Sequence, residues 1–497
     1  MITDPAEMVL RKFSLYIDGE EVPALSGARY RSQDPFTGHP WASVADGGPE
    51  DIDRAVRAAE AAFRGTWGRL SGADRGRLMN RLADVVEREA GVLADIEVRD
   101  NGKLRRDAES QIGLLPVWLR YFAGLADKIY GQSIPDAHPD YFIYTLREPL
   151  GVVGAILPWN APLILGMYKF APALAAGCTI VAKPSEFTPA SMIAFARLFE
   201  QAGFPPGVFN VVASSSRETG AALVTHPLVS RVAFTGSTAT GIAIAKSAAD
   251  TVTQVSLELG GKSAQLVFAD SDVEAVVNGI TAGAFAAAGQ MCHAGARVYV
   301  ERPLYSEVVE RLSERAGRIR LGDPKDATTE VGPISTEPQF SKVLALLEEA
   351  RKQGAVVECG GGRDTGLTGN FVRPTVLTGV TEEMNILRQE VFGPVVIVLP
   401  FDSEEEAVRL ANDSQYGLAS GLWTNDVRRV HRVAARLEAG IVWVNSYRVS
   451  SPAVPFGGTK MSGVGRENGT DAIFEYTEVK SVYIETSGVT RDPFQMG

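Results

Sequence analysis

GVVGAILPWNAPLILGMYKFAPALAAGCTIVAKPSE, residues 151–186, decides the fold. Its first apolar run, 152–157, is short and is broken by Pro158, Asn160 and Pro162. A helical stretch over 162–176 follows, then a second apolar run at 179–183. Strand, helix and strand in this order mark a mainly parallel sheet covered by helices. The alternation continues downstream. Strands are expected at 210–213 and 232–235, with helices at 190–203, 216–225 and 238–249.

Upstream, residues 13–45 hold short extended pieces such as 14–17, with a turn at Asp18-Gly19. Helical periodicity then places Ile52, Val56, Ala59 and Phe63 on one face of 51–64. It continues over 74–100 and over 108–128, where Ile112, Leu115, Leu119 and Phe122 align. A second alternating series begins after Gly260-Gly261. It has strands at 264–268, 298–300, 395–399 and 441–444, and helices at 272–288, 304–319, 337–353 and 426–437. Residues 141–149 (YFIYTLREP) and 477–484 alternate like strands. The expected class is α/β, with two doubly wound units of similar size and a small β element outside both. No low-complexity tract or short repeat interrupts them.

Composition agrees. A chain of 497 residues is too long for one core and suggests two or three domains. Hydrophobic residues at 45% and charged residues at 22% are ordinary for a folded enzyme. The net charge of −11 disfavours nucleic acid or anionic membrane as partners. No apolar run is long enough to span a bilayer, and MITDPAEMVLRKF lacks the order of a signal peptide. Cys178, Cys292 and Cys359 are far apart and odd in number. They imply no disulfide framework and no metal site, and they fit a reducing, cytoplasmic setting.

Five motifs carry chemistry. Gly289-Gln290-Met291-Cys292 closes the apolar helix and offers a thiol to a cleft. A lone cysteine is more often a small buried hydrophobe, so its partners decide. Glu258, flanked by leucines in LELGGK, is desolvated and suited to general-base work, or it pairs with Lys262. Asn160, bracketed by Pro158 and Pro162, is a rigid amide donor for an oxyanion, or a turn asparagine. FTGSTATG, 234–241, runs from a strand into a helix and could accept a pyrophosphate. It is neither GxGxxG nor a P-loop, and a plain strand–turn–helix reads equally well. Lys183 and Glu186 in KPSE could hold ribose hydroxyls; Glu186 would repel a 2′-phosphate and so favours NAD over NADP. An exposed ion pair is the bland reading.

PWNAP, KPSE, FTGS, LELGGK, GQMC, EVFGP and PFGG, in this order from about residue 15 to 485, resemble the aldehyde dehydrogenase superfamily in its hydrolytic, non-CoA-acylating branch. The resemblance implies an NAD-dependent oxidation of an aldehyde to a carboxylic acid. Cys292 would attack the carbonyl as thiolate, and Asn160 with the Cys292 N–H would hold the oxyanion. A thiohemiacetal and then a thioester would form, and Glu258 would activate water to hydrolyse the latter. Lys169 and Glu467 would relay protons behind Glu258. Ile156, Trp159, Lys183 and Glu186 would bind the cofactor, with Gly236, Ser237, Gly241 and Leu259 at the pyrophosphate end. Gln339, Lys342, Glu390 and Phe392 would lie at the nicotinamide ribose and ring.

The implied substrate walls are Leu165, Tyr168, Met291 and His293, with Tyr447, Arg448, Ser450, Val454 and Phe456. Arg448 is unusual there; it would meet a polar or carboxylate-bearing substrate, or it is a solvated surface arginine. His293 beside Cys292 suggests a dyad, but neighbours on an extended segment point apart. The expectation is that His293 shapes the pocket. The implied architecture is a Rossmann-like cofactor domain (1–128 and 150–258), a catalytic domain (259–445) and an oligomerisation flap (129–149 and 476–497) for a homodimer or homotetramer. Residues 446–475 would return to the cleft. Competing functions are a CoA-acylating dehydrogenase, which Glu258 argues against, and a binding protein on the same fold, which Asn160, Glu258 and Cys292 together disfavour.

Overall fold

The computed structural model describes residues 10–489 and Phe494. The ends of two expected segments, 1–9 of the cofactor domain and 490–493 with 495–497 of the flap, lie outside the described residues. Among the described residues, one sheet has eight strands in the order 463–464, 254–258, 229–235, 152–156, 179–183, 209–211, 15–17 and 20–22. The five central strands are parallel, and antiparallel pairs close both edges. Strand Val152–Ile156, the first apolar run of 151–186, lies between Thr179–Lys183 and Val229–Thr235. The chain order reverses across it. Loops from the carboxyl ends of such strands form a crevice, which is where ligands bind in open α/β sheets.

Apolar side chains explain why these elements pack. Helix Pro162–Ala176 is buried along its whole length, and Pro at its first position suits the fixed φ of a helix start. It ends at Gly177, whose φ of +103° an alanine would resist. Asp18 and Gly19, at φ +58° and +82°, make the expected hairpin turn between Leu15–Ile17 and Glu20–Val22.

A second sheet has seven strands in the order 356–359, 375–378, 395–401, 297–301, 264–267, 419–423 and 441–444. All its pairings are parallel except the edge pair 356–359 with 375–378. Strands 356–359, 375–378 and 419–423, and helix Glu404–Asn412, are elements that the sequence pattern did not announce. Other expected bounds shift. The helix expected over 190–203 is two pieces, Ala190–Ala196 and Leu198–Gln201. Helix Arg105–Ala123 stops before 128. The helix expected over 272–288 is Val273–Ala284, and beyond it Ala287, Ala288 and Gly289 take φ of +53°, +54° and +69°. Left-handed alanines cost roughly 1–2 kcal/mol each, so packing must hold this turn.

Tyr141–Pro149 and Thr477–Glu485 pair antiparallel along nine residues each and stand apart from both large sheets, with Ser133–Ile134 on the outer edge. Phe142, Leu146, Val479, Tyr483 and Ile484 on this ribbon are exposed. Among the described residues, no helix is long and apolar enough to cross a membrane, and no cluster of His, Cys, Asp and Glu could hold a metal ion.

Candidate active site

Two carboxyl-end loops of the eight-stranded sheet meet the turn that carries Cys292. Asn160, in the loop 158–161, donates from Nδ2 to the Gln290 carbonyl at 2.8 Å. An amide has two N–H donors, so one remains for a ligand. Asn101, at the end of helix Gly72–Asn101, grips this loop by donating to the Trp159 and Asn160 carbonyls at 2.6 and 3.1 Å. The sequence did not point to Asn101, because only the fold brings it to residue 160. The Gly260-Gly261 loop passes under Cys292 so closely that a Cβ on Gly261 would lie 2.2 Å from the Cys292 carbonyl oxygen. Similarly, a Cβ on Gly289 would meet the Gly393 oxygen at 2.1 Å, which locks GQMC against the 390–394 loop.

Residues 291–294 form a turn, closed by Ala294 N–H to the Met291 carbonyl at 3.0 Å. The expected extended segment is therefore corrected, and Cys292 Sγ and His293 Nδ1 approach to 3.8 Å. The contact does not make a base of the histidine. Burial, with Arg448 nearby, pushes His293 down to about 3, so the imidazole is neutral. Cys292 is half-buried, and loss of solvation with Glu390 and Glu258 nearby pushes its thiol up. The backbone N–H groups of His293 and Cys292 pull in the opposite direction by stabilising the thiolate.

Glu258 ends strand Gln254–Glu258 and is buried. It makes no ion pair with Lys262; its Oε2 and the Lys262 Nζ both lack partners. Burial, then the charge of Glu467, raises its carboxyl well above the usual range, and Lys169 and Arg466 offset this in part. Behind it, the buried Lys169 ammonium donates to Thr235 Oγ1 and Glu467 Oε1, each at 2.5 Å. Glu467 is raised as well, chiefly by burial, against the pull of Lys169. The three groups expected as base and relay therefore share one buried electrostatic unit.

The cofactor candidates line the same edge. Ile156 and Lys183 end neighbouring strands. Lys183 Nζ makes only long contacts, 3.5 and 3.4 Å, to the Pro184 and Ser214 carbonyls. Burial lowers its pKa while Glu186 raises it. Gly236 donates its N–H to the Glu258 carbonyl, and Ser237 caps helix Thr238–Ala249. A Cβ on Gly241 would strike Leu259 Cδ2 at 2.4 Å, so the helix packs directly on the LELGG strand end. Glu390 Oε1 accepts from Gly261 N–H at 2.9 Å, and burial raises that carboxyl to about 7. Phe392, at φ +55°, sets its ring edge-on to Trp159 with centroids 5.2 Å apart. Gln339 spends its amide on the Val391 and Phe392 carbonyls at 2.8 and 3.0 Å, so it shapes this loop from behind. Lys342 is exposed and reaches Glu390 only electrostatically.

These groups fit a dinucleotide. A buried ammonium with unfilled donors stands beside a carboxylate at one strand end, and side-chain-free backbone leads into a capped helix N-terminus at the next.

Aromatic rings wall the other side of Cys292. Tyr168 stacks on Trp118 at 5.3 Å and meets Phe456 at 5.7 Å. Burial raises its hydroxyl's pKa, and Ser450 and Asn468 nearby act in the opposite direction. Tyr447 donates its hydroxyl to the His293 carbonyl at 2.8 Å, and Trp443 lies against Tyr447 and His293 at 4.7 and 5.7 Å. Leu165 and Met291 are buried, whereas Val454 is exposed. Arg448 is half-buried. Trp118 and Trp443 are wall residues that no motif marks. Trp118 does fall on the apolar face of its helix, one position before Leu119.

The aldehyde dehydrogenase family profile matches residues 22–482. A (Z)-2-((N-methylformamido)methylene)-5-hydroxybutyrolactone dehydrogenase of Acinetobacter baylyi is 44% identical over 98% of this chain and 100% of its own. Mouse aldehyde dehydrogenase 1A1 is 43% identical over 97% of both chains. A Bacillus cereus aldehyde dehydrogenase solved as its NAD+ complex superposes with a TM-score of 0.94, at 45% identity, over 98% of this chain and 99% of that one.

Proposed function

The chain belongs to the aldehyde dehydrogenase family, and from that premise we propose how its own residues oxidise an aldehyde to the carboxylic acid with NAD. Cys292 is the nucleophile. Its thiol gives up a proton to water, and the thiolate, held by the N–H groups of Cys292 and His293, attacks the carbonyl carbon. The free N–H of the Asn160 amide and the Cys292 N–H receive the oxyanion of the thiohemiacetal. NAD, when bound, accepts the hydride, which leaves a thioester on Cys292.

Glu258 then takes a proton from water, and the resulting hydroxide attacks the thioester carbon and expels the thiolate. A carboxyl with a raised pKa is a better base than an ordinary one once ionised. Lys169, between Thr235 and Glu467, carries charge compensation and proton exchange behind Glu258. Lys183 and Glu186 would hold the adenosine ribose, and Gly236, Ser237, Gly241 and Leu259 the pyrophosphate region with Ile156 alongside. Glu390 and Phe392 would hold the nicotinamide ribose and ring, with Trp159 opposite.

One observation carries this reading: the 2.8 Å bond from Asn160 to Gln290 ties the oxyanion donor to the turn of the thiol. The experiment is NADH absorbance with an aldehyde panel, with and without CoA, in the wild type and Glu258→Gln. The wild type should turn over without CoA, and Glu258→Gln should release about one NADH per site and stall. A CoA requirement or sustained turnover by Glu258→Gln would refute the hydrolytic role.

The same reading assigns 1–128 and 150–258 to the cofactor domain and 259–445 to the catalytic domain, with 446–475 closing the cleft. Segments 129–149 and 476–497, whose paired strands are Ser133–Ile134, Tyr141–Pro149 and Thr477–Glu485, would be the oligomerisation flap of a cytoplasmic homodimer or homotetramer. Its exposed Phe142, Leu146, Tyr483 and Ile484 support that assignment, since apolar strand faces of this kind seek a partner.

A further inference from the structure

Arg448 is half-buried and is anchored on the helix that precedes Cys292. Tyr447 and Arg448 together clasp the helix that leads to the nucleophile. Tyr447 packs on Gly283, where a Cβ would meet its ring at 2.9 Å, and Arg448 Nη1 donates to the Ala282 carbonyl at 3.2 Å. To do so Arg448 adopts φ +74°, a left-handed backbone that a β-carbon disfavours and that concentrates at functional sites. Its chain neighbour Tyr447 is tied by its hydroxyl to the His293 carbonyl at 2.8 Å, and the guanidinium acts electrostatically on His293, whose Nδ1 is 3.8 Å from the nucleophile, so the cation stands near Cys292. Among the described residues, no carboxylate comes within 4 Å of it; Asp107, on helix Arg105–Ala123, acts on it only through its field. A guanidinium has five N–H donors in a planar fork, and the neutral ring of His293 and the walls of Tyr168, Trp443 and Phe456 offer no counter-charge.

We propose that this site selects aldehydes that bear a carboxylate at the end remote from the reacting carbonyl, joined by a flat or apolar spacer, with Arg448 as the residue that receives the carboxylate. The inference rests on the reading of Cys292 as nucleophile, which fixes the opposite end of the substrate. Planar bidentate recognition of carboxylate is what an arginine fork does best, and the aromatic walls suit the spacer. Asp107 has the opposite sign of effect on substrate: it attracts Arg448 and repels the incoming anion.

The experiment compares kcat/KM for benzaldehyde, para-carboxybenzaldehyde and para-trimethylammoniobenzaldehyde. The wild type should favour the carboxylate over the neutral compound and the neutral over the cation. In Arg448→Met the ratio of carboxylate to neutral should fall about 10- to 100-fold, the worth of a charge-assisted hydrogen bond. Arg448→Lys should keep part of the ratio, and Asp107→Asn should raise it. Turnover of all three compounds by the wild type without discrimination, or a preference for the cation, would overturn the inference while leaving the dehydrogenase reading intact. No NADH from any of the three would count against that reading, and against the inference with it. Because the wild-type comparison needs no variant, a poorly folded Arg448→Met would not rescue the idea.

Discussion

Replacing Gly261 with alanine asks how tightly the nucleophile's position is set by the strand loop beneath it. Gly261 is not among the residues with left-handed φ, so alanine meets no backbone penalty, and the effect is one of space alone. The new methyl would sit 2.2 Å from the Cys292 carbonyl oxygen and 3.4 Å from Leu418 Cβ. Real contacts of this kind stay above 3.0 Å, so the cysteine backbone must retreat by about 0.8 Å. Neither side can yield cheaply, because both are main chain and Gly261 N–H is also bound to Glu390 at 2.9 Å. A displacement near 1 Å in a reacting group costs about 100-fold in rate. The prediction is a fall of that order in kcat, measured by NADH formation at saturating aldehyde and NAD. Gly260→Ala is the internal contrast. Its methyl would meet the end of the Glu390 side chain at 2.8 Å, so the strain falls on the residue proposed to hold the nicotinamide ribose and should raise the KM for NAD, while kcat at saturating NAD falls far less. If Gly261→Ala keeps kcat within about twofold, or if Gly260→Ala is equally damaged, the positional explanation fails.

Glu258 is raised by burial first and by Glu467 second, so its carboxylate form is lost as pH falls through a value well above the ordinary carboxylate range. The acid limb of thioester hydrolysis should lie there, and Glu467→Gln, which removes a repelling charge, should move it to lower pH; a limb that stays put or moves up would contradict the assignment. Lys169→Met leaves Glu467 buried with its ammonium gone from 2.5 Å, so unfolding free energy should drop by about 3–5 kcal/mol in urea titration. Adding Glu467→Leu to that variant should restore most of the stability, and a double variant no more stable than the single would show that the pair is not the cause.

Much of the fold is legible in local sequence pattern. Strands at 141–149, 179–183 and 441–444 and helices at 162–176 and 238–249 have the bounds expected of them. Their signals are local: alternation, apolar run length, and a Pro or Gly at an end. The chemistry is legible for a similar reason, since each of Asn160, Glu258 and Cys292 sits in a short motif with its own turn residues.

What escapes that pattern depends on contacts between distant residues. Ala419–Trp423, interrupted by Gly and Ser, is not announced as a strand, yet it is buried between strands 264–267 and 441–444. No property of Ala287 or Ala288 announces a left-handed turn; packing around Gln290 and Gly289 imposes it. His293 is expected to point away from Cys292 and instead meets it, because the segment turns.

The sequence by itself singled out the groups proposed to do chemistry, through residue types at fixed short spacings. The tertiary structure alone decided their states. Glu258 is a weak acid, His293 a neutral ring and Arg448 an uncompensated cation because of what packs around each from elements far away in the chain, and burial and neighbouring charge act through space.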